Sequence, residues 1–218
     1  MDLFLFDMAG TTIRDDGFVL RAFLAAAKSE GLTPEPQWVR ARMGWKKLRV
    51  FELMLQAAGR SLDSAPSLNE RFEEQIAVEV SRHAPEPLPG AVEAMRALRK
   101  AGAEVGFTTG FSEKTACLLL RLLGWPADVL AASDMVDEGR PAPDLIRYCM
   151  GIVGVSDAGR VGVAGDTPAD LQAGAAAGCG MVVGVGHGSH SLEELAAFPH
   201  THLLPDLKTL PEILDVVA

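Results

Sequence analysis

The sequence predicts an α/β protein with a doubly wound parallel sheet and an all-helical insert, and three observations support this. The chain opens on a continuous apolar run at residues 3–6, which is typical of a strand buried on both faces. Between about residues 17 and 83, the apolar residues follow helical spacing. From residue 90 onward, helical stretches alternate with short apolar runs, and such repeated β–α units favour a parallel sheet covered by helices.

Glycine and proline divide the insert into four predicted helices. Gly31 and Gly59 are typical residues at helix C-termini, and Pro34 separates the first helix from the second. Leu68 and Phe72 begin an apolar series spaced four residues apart, which predicts the last of these helices. The predicted helices span about residues 17–30, 38–42, 45–58 and 68–80.

The rest of the chain is predicted to alternate between strands and helices. Strands are expected at residues 103–107, 129–132, 160–164 and 181–185, helices at 91–101, 112–123, 143–153 and 168–177, and a last strand and helix within 202–217. We therefore expect an α/β core of residues 1–14 and 86–218 and a helical domain of residues 15–85.

Composition narrows the classes of partner. The 218 residues carry a net charge of −9 and no block of Lys or Arg, so we expect no nucleic-acid or anionic-membrane partner. The apolar runs are shorter than the ~20 residues that cross a bilayer, and the N-terminus enters a strand with no room for a signal peptide. Cys117, Cys149 and Cys179 stand among apolar residues or glycine, which predicts buried free thiols in a cytoplasmic protein.

Polar residues follow several of the predicted strands. Asp7 ends the first strand, Thr108 and Thr109 follow the second, and Asp166 follows a later one. Parallel strands end at one edge of a sheet, so these groups are expected to share a crevice. Paired carboxylates there suit a Mg²⁺ ion that also binds a substrate phosphate. Thr108 and the helix N-terminus at Ser112 could hold the oxygens of this phosphate. Asp7 taken alone could equally cap the turn that follows it.

Asp170 and Arg140 each allow two interpretations. Asp170 is the third residue of a helix that begins after Thr167, so it could complete a capping box or support a metal beside Asp166. Arg140 lies in a Pro-rich turn and could pair with Asp7 or with phosphate. An arginine on the surface of such a turn is also common.

Lys47 interrupts an apolar helical stripe. Met43, Val50 and Phe51 share its predicted face, whereas Lys46 falls on a face predicted to be solvated. A lysine that extends from such a stripe to solvent is common. The alternative is a desolvated amine whose pKa falls, which makes it nucleophilic toward a carbonyl group.

Four motifs resemble, in order, those of haloacid dehalogenase-superfamily hydrolases. They are DMAGTT at 7–12, TTG at 108–110, GRPAP at 139–143 and GDTPAD at 165–170. The resemblance implies a Rossmann-like core whose helical segment is a mobile cap. Phosphatases of this superfamily usually carry a second Asp two positions after the nucleophile, where this chain has Ala9. Together with MGWKK at 43–47, Ala9 makes the chain similar to the phosphonoacetaldehyde hydrolase (phosphonatase) family.

This resemblance implies a Mg²⁺-dependent hydrolase that cleaves the C–P bond of phosphonoacetaldehyde or a related phosphonate. Asp7 would accept the phosphoryl group, and Lys47 would form a Schiff base with the substrate aldehyde. The resemblance also implies that the catalytic Thr108 and Arg140 bind the phosphoryl group. The implied metal ligands are Asp7, the Ala9 carbonyl, Asp166 and Asp170. The implied substrate-binding residues are Met43, Gly44, Thr109 and Gly110.

Three positions depart from the phosphonatase pattern. Val50, Phe111 and Phe18 stand where that family carries His, Tyr and Cys, which help to move protons around the imine. One alternative is therefore a phosphomonoesterase for a small metabolite, which Ala9 argues against. Another is an inactive module that binds a phosphorylated ligand, which the intact motifs argue against. Caps of this family sometimes dimerise, so a homodimer through helix 17–30 is a further expectation.

Overall fold

The apolar run that opens the chain forms the central strand of a parallel sheet. The computed structural model describes residues 1–217, with side chains to residue 214. Its strands are β1 (Leu3–Phe6), β2 (Glu104–Thr109), β3 (Val129–Ala132), β4 (Val161–Gly165), β5 (Met181–Val185) and β6 (His202–Leu204). Their order across the sheet is β3-β2-β1-β4-β5-β6, all parallel. The predicted α/β fold is confirmed.

The helices lie close to their predicted positions. They are α1 (Phe18–Ser29), α2 (Pro36–Arg40), α3 (Lys47–Ala57), α4 (Ala65–Arg82), α5 (Ala91–Lys100), α6 (Glu113–Leu123), α7 (Asp144–Val153), α8 (Pro168–Ala177), α9 (Leu192–Leu195) and α10 (Leu210–Val217). The sequence analysis missed α9, because a helix of one turn shows no periodicity. Across residues 1–217, no helix combines the length and the apolar character needed to cross a membrane.

Three phenylalanines join the helices of the insert. Phe23 of α1, Phe51 of α3 and Phe72 of α4 are fully buried, and their ring centroids lie 4.7 to 6.3 Å apart. Tilted and edge-on pairs at these distances add to the energy of apolar burial. The apolar face of α1 is thus occupied within the chain, and dimerisation through this helix stays a prediction.

Two adjacent connections join the insert to the sheet. The backbone N–H of Arg14 donates to the Glu86 carbonyl at 2.9 Å, and that of Leu88 donates to the Thr12 carbonyl at 2.8 Å. The chain therefore leaves and re-enters the α/β layer at one place, after β1 and before α5.

The burial of the cysteines differs in part from expectation. Cys149 of α7 is buried and Cys179 is half-buried, whereas Cys117 is exposed on α6. The prediction for Cys117 is wrong because the buried stripe of α6 runs through Ala116, Leu119 and Leu120, and Cys117 points away from it.

Candidate active site

The register of the sheet brings the predicted polar residues together. Phe6 of β1 is level with Phe107 of β2 and Ala164 of β4, so the residues that follow meet at the carboxyl edge. Asp7 continues this pairing, because its N–H donates to the Ala164 carbonyl at 2.9 Å. The predicted crevice at the strand ends is present, with Thr108 and Thr109 forming the last residues of β2 itself.

Arg140 lies at the centre of this edge and is only 3% exposed. Its Nη1 lies 2.6 Å from Asp7 Oδ1 and 2.5 Å from Asp170 Oδ1, and its Nη2 donates to Thr108 Oγ1 at 3.0 Å. Of the two partners considered for Arg140, Asp7 or a phosphate, the structure shows the contact with Asp7, and the alternative of a surface arginine is wrong. Arg140 does not line the small cavity that Asp7 lines.

Asp170 combines the capping role with this ion pair. Its Oδ2 accepts the Thr167 N–H at 3.1 Å, and the Thr167 hydroxyl faces the Asp170 N–H at 3.4 Å, which completes a capping box at the start of α8. Its other oxygen faces Arg140. Whether Asp170 also supports a metal stays a prediction.

Asp166 is fully buried and held from two sides. The Thr11 hydroxyl donates to its Oδ1 at 2.8 Å, and the Ser189 N–H donates to its Oδ2 at 2.6 Å. Asp7, Asp166 and Asp170 can each offer a carboxylate oxygen within 4.8 Å of the others.

These buried carboxylates repel one another. Burial raises the pKa of Asp7 to about 6 against the lowering effect of Arg140, and burial together with the charge of Asp7 raises the pKa of Asp166 to about 7. One guanidinium leaves an excess of negative charge among three ionised carboxylates. Mg²⁺ prefers oxygen ligands and would offset this excess, so the donor set fits the predicted metal.

A small cavity lies between the insert and the strand ends. Its volume is about 20 Å³, close to the space of a single water molecule. Seven residues predicted for the site line it: Asp7, Ala9, Met43, Gly44, Lys47, Thr109 and Gly110. The sequence analysis assigned no site role to the remaining lining residues, Asp15, Val19, Phe111, Thr167 and Ser189.

Lys47 is the first residue of α3, not an interior one. The prediction that Met43 shares its helical face is wrong, because Gly44 adopts a left-handed φ of 82° and the helix begins only after it. A Cβ on Gly44 would lie 2.6 Å from Thr167 Oγ1, so this turn packs directly on the α/β layer. Met43 and Lys47 therefore reach the cavity from a turn and a helix start.

The amine of Lys47 is buried among aromatic rings. The residue is 5% exposed, and its Nζ lies 5.6 Å from the ring centroid of Phe23, 6.0 Å from that of Phe72 and 5.3 Å from that of Phe111. Burial lowers the pKa of Lys47 to about 8, against the opposing charge of Asp7. The interpretation of Lys47 as a desolvated amine is confirmed over that of a lysine reaching solvent.

Lys46 is expected on a solvated face, but its amine is bound by the protein. Its Nζ donates to the carbonyl oxygens of Val136 at 2.9 Å and Asp137 at 3.2 Å, in the loop that leads to Arg140. Helical spacing could not reveal this contact, because the partners lie 90 residues away.

The N-terminus of α6 is not free for phosphate, contrary to prediction. The Glu113 N–H donates to Asp134 Oδ1 at 2.8 Å, and the Ser112 hydroxyl donates to Glu73 Oε2 at 2.7 Å. Carboxylates thus occupy the position where an anion would bind, and they would repel a phosphate.

The loop after β5 contributes to the site beyond what its sequence revealed. His187 Nε2 lies 3.0 Å from the Thr11 carbonyl oxygen, and Ser189 contacts Asp166 as described above. The glycines around His187 and His190 indicate only a loop, and the contacts with Asp166 depend on tertiary structure.

Residues 1–178 match the haloacid dehalogenase-like hydrolase family. The chain belongs to this family. The hydrolase is 28% identical to a phosphonoacetaldehyde hydrolase of Bacteroides fragilis over 222 residues, covering 93% of this chain and 84% of that protein. It is also 30% identical to hexitol phosphatase A of Escherichia coli over 182 residues, covering 82% of this chain and 81% of that protein.

Solved structures support the fold. A hydrolase from Pseudomonas syringae matches with a TM-score of 0.88 and 23% identity, over 100% of both chains. A phosphonoacetaldehyde hydrolase-like protein from Oleispira antarctica matches with a TM-score of 0.86 and 19% identity, over 99% of this chain and 92% of that one. The TM-scores show that these proteins share the fold of this chain.

Proposed function

We propose that this hydrolase cleaves the C–P bond of phosphonoacetaldehyde or a closely related phosphonate, with residues 15–85 acting as the cap. The observation that supports this most is the buried amine of Lys47 in the same small cavity as Asp7. Phosphate-ester hydrolysis does not require an amine nucleophile, whereas a substrate aldehyde would react with a desolvated amine.

The proposed reaction begins at Lys47. Its neutral amine adds to the aldehyde carbon, and loss of water gives a protonated imine. The Asp7 carboxylate then attacks phosphorus, and the electron pair of the breaking C–P bond moves into the imine to give an enamine. The products are an aspartyl phosphate on Asp7 and an enamine on Lys47.

Two hydrolyses complete the cycle. The enamine takes up a proton at carbon, and water releases acetaldehyde from Lys47. A second water releases phosphate from Asp7. No alkoxide leaves in this sequence, which agrees with Ala9 at the position where phosphatases carry a second acid.

Arg140 and Thr108 support the phosphoryl-transfer step in this proposal. Their contacts tie Asp7 to the end of β2, so the carboxylate is oriented and kept ionised beside a positive charge. Asp7, Asp166, Asp170 and the Ala9 carbonyl would hold Mg²⁺. When bound, this ion would offset charge on the transferring phosphoryl group.

Product analysis tests the proposal. Incubation with phosphonoacetaldehyde and Mg²⁺ should release phosphate and acetaldehyde in equal amounts. Lys47→Arg should abolish both products, whereas Lys114→Arg, on the exposed side of α6, should leave them unchanged. Activity on phosphate esters alone, insensitive to Lys47→Arg, would refute C–P cleavage.

A phosphomonoesterase is the second candidate, favoured by the similarity to hexitol phosphatase A. Ala9 argues against this reaction, because the alkoxide of a phosphate ester would leave without an acid at that position. Tight binding of phosphate with no turnover of either class would instead indicate an inactive binding module.

A further inference from the structure

In the proposed function, on which this inference rests, Lys47 forms an imine. Imine formation needs a group that moves protons. The ammonium must lose a proton before it can attack the aldehyde. The hydroxyl of the resulting carbinolamine must then gain one before it can leave as water. In a cavity with room for about one water molecule, a side chain is better placed than bulk solvent to carry these protons.

The lining of the cavity contains few titratable side chains. Among the described residues they are Asp7, Asp15 and Lys47. Lys47 is the reacting amine, and Asp7 is paired with Arg140 and is the phosphoryl acceptor of the proposed reaction. Asp15 is the group that remains.

Other charged groups act on Lys47 but are committed elsewhere. Besides Asp7 and Asp15, they are Arg140 and Glu73. Arg140 is bound between two carboxylates, and Glu73 of α4 accepts the hydroxyls of Ser112 and Thr115 outside the cavity lining. Neither lines the cavity in which a substrate would meet Lys47.

Asp15 is held in place by the start of α1. Its Oδ1 accepts the N–H of Val19 at 3.2 Å, while Gly17, which precedes the helix, has no side chain to cap it. Val19 itself lines the cavity beside Asp15, so this contact fixes the carboxyl at the cavity wall. Burial raises the pKa of Asp15 above its ordinary value, although the charge of Lys47 and the backbone N–H groups oppose this.

We propose that Asp15 is the general acid–base group for Lys47. Its carboxylate takes a proton from the Lys47 ammonium through one intervening water, for which the cavity has room, and the free amine forms a C–N bond with the aldehyde carbon. As the carbinolamine forms, its oxygen takes the proton that its nitrogen loses. The Asp15 carboxylic acid then protonates this hydroxyl, the C–O bond breaks, and water leaves. The net result is a protonated imine, one water molecule and a regenerated Asp15 carboxylate.

The competing explanation is that Asp15 only caps α1. Asparagine separates the two roles, because its amide oxygen caps a helix about as well as a carboxylate does but cannot exchange a proton. Asp16 provides a matched control, since it is the neighbouring carboxylate, is exposed, and lies outside the lining of this cavity.

The experiment compares wild type, Asp15→Asn and Asp16→Asn. Each is incubated with acetaldehyde and cyanoborohydride, the reduced adduct at Lys47 is timed by mass spectrometry, and the melting temperature is recorded. We expect Asp15→Asn to slow labelling of Lys47 at least about 100-fold without lowering the melting temperature, and Asp16→Asn to match wild type. Added formate should partly restore the rate in Asp15→Asn by supplying a small acid.

Other outcomes distinguish the possible failures. Labelling of Asp15→Asn at the wild-type rate overturns the role of Asp15 and leaves the imine chemistry standing. A wild-type protein that never labels at Lys47 overturns the proposed function as well. If Asp15→Asn is unstable, Asp15→Ser retains a capping oxygen, and normal labelling of that folded variant likewise overturns the proposal.

Discussion

The ammonium of Lys46 donates a hydrogen bond to the carbonyl oxygen of Val136 across 2.9 Å. This contact joins the residue beside Lys47 to the loop that carries Arg140. A Cβ on Gly139 would lie 2.8 Å from the Cβ of Lys46, so the two segments are in close contact. The contact supports a positioning role for Lys46, which would hold Lys47 over Asp7.

Loss of this contact should weaken catalysis without removing a reacting group. We expect Lys46→Met to lower kcat/KM about fivefold, the equivalent of one net hydrogen bond of about 1 kcal/mol. Hydrogen exchange of residues 136–139 should become faster, and Lys46→Arg should restore both properties. Unchanged exchange in Lys46→Met would show that the contact does not hold this loop.

Removal of Arg140 should destabilise the fold more than removal of Asp7. Arg140→Met leaves Asp7 and Asp170 buried without their cation, which we expect to cost about 3–5 kcal/mol in urea unfolding without Mg²⁺. Asp7→Asn should cost far less, although it should reduce turnover by at least about 1000-fold.

A double variant provides the control for this ion pair. Adding Asp7→Asn to Arg140→Met should recover part of the lost stability, because one buried charge then disappears. Strictly additive losses would mean that the two side chains do not interact as their 2.6 Å separation indicates.

The pKa of Lys47 should set the pH dependence of imine formation. With a pKa of about 8, the neutral amine increases about tenfold per pH unit up to that value and then levels off. Timed labelling by acetaldehyde and cyanoborohydride over a pH series should follow this curve. A rise that continues toward the ordinary lysine value of 10.5 would contradict a desolvated amine.

The lowered pKa of Lys47 also affects the stability of the fold. Because this pKa falls on folding, the folded protein holds the Lys47 proton less tightly than the unfolded chain does. The resulting destabilisation is fully present below about pH 8 and disappears as the pH rises toward 10.5. Lys47→Met should therefore raise the melting temperature more at neutral pH than at high pH.

Mg²⁺ should stabilise the protein more at alkaline than at acidic pH. The raised pKa values of Asp7 and Asp166 favour the folded state below their ordinary value of 3.8, and this contribution is lost as the pH rises through about 6 to 7. The metal binds the ionised carboxylates, so the gain in melting temperature over EDTA should be larger at about pH 8 than at about pH 5. Asp166→Asn should remove the gain, and an equal gain at both pH values would contradict metal binding at these carboxylates.

Local patterns predicted the sheet edge well because strand ends and motifs are encoded in short stretches. β3 and β5 have their predicted bounds, and Asp7 and Asp166 meet as parallel strands require. Patterns also singled out Lys47, since a charge in an apolar stripe is visible without any structure.

Contacts between distant segments could not be predicted in this way. Lys46 resembles any exposed lysine until the loop at Val136 is placed beside it. Asp15 resembles a loop carboxylate, and only the tertiary structure brings it to the cavity of Lys47. The helical turn expected at Met43 fails at Gly44, which is left-handed and packs closely on Thr167.

Borohydride reduction of the Asp7→Asn variant with phosphonoacetaldehyde tests the central claim most directly. This variant cannot accept the phosphoryl group, so the imine should accumulate with its C–P bond intact. We predict that mass spectrometry will find a phosphonoethyl group on Lys47 in Asp7→Asn, and an ethyl group there in wild type. An unmodified Lys47 in both proteins, or equal labelling of exposed lysines such as Lys114, would contradict the account.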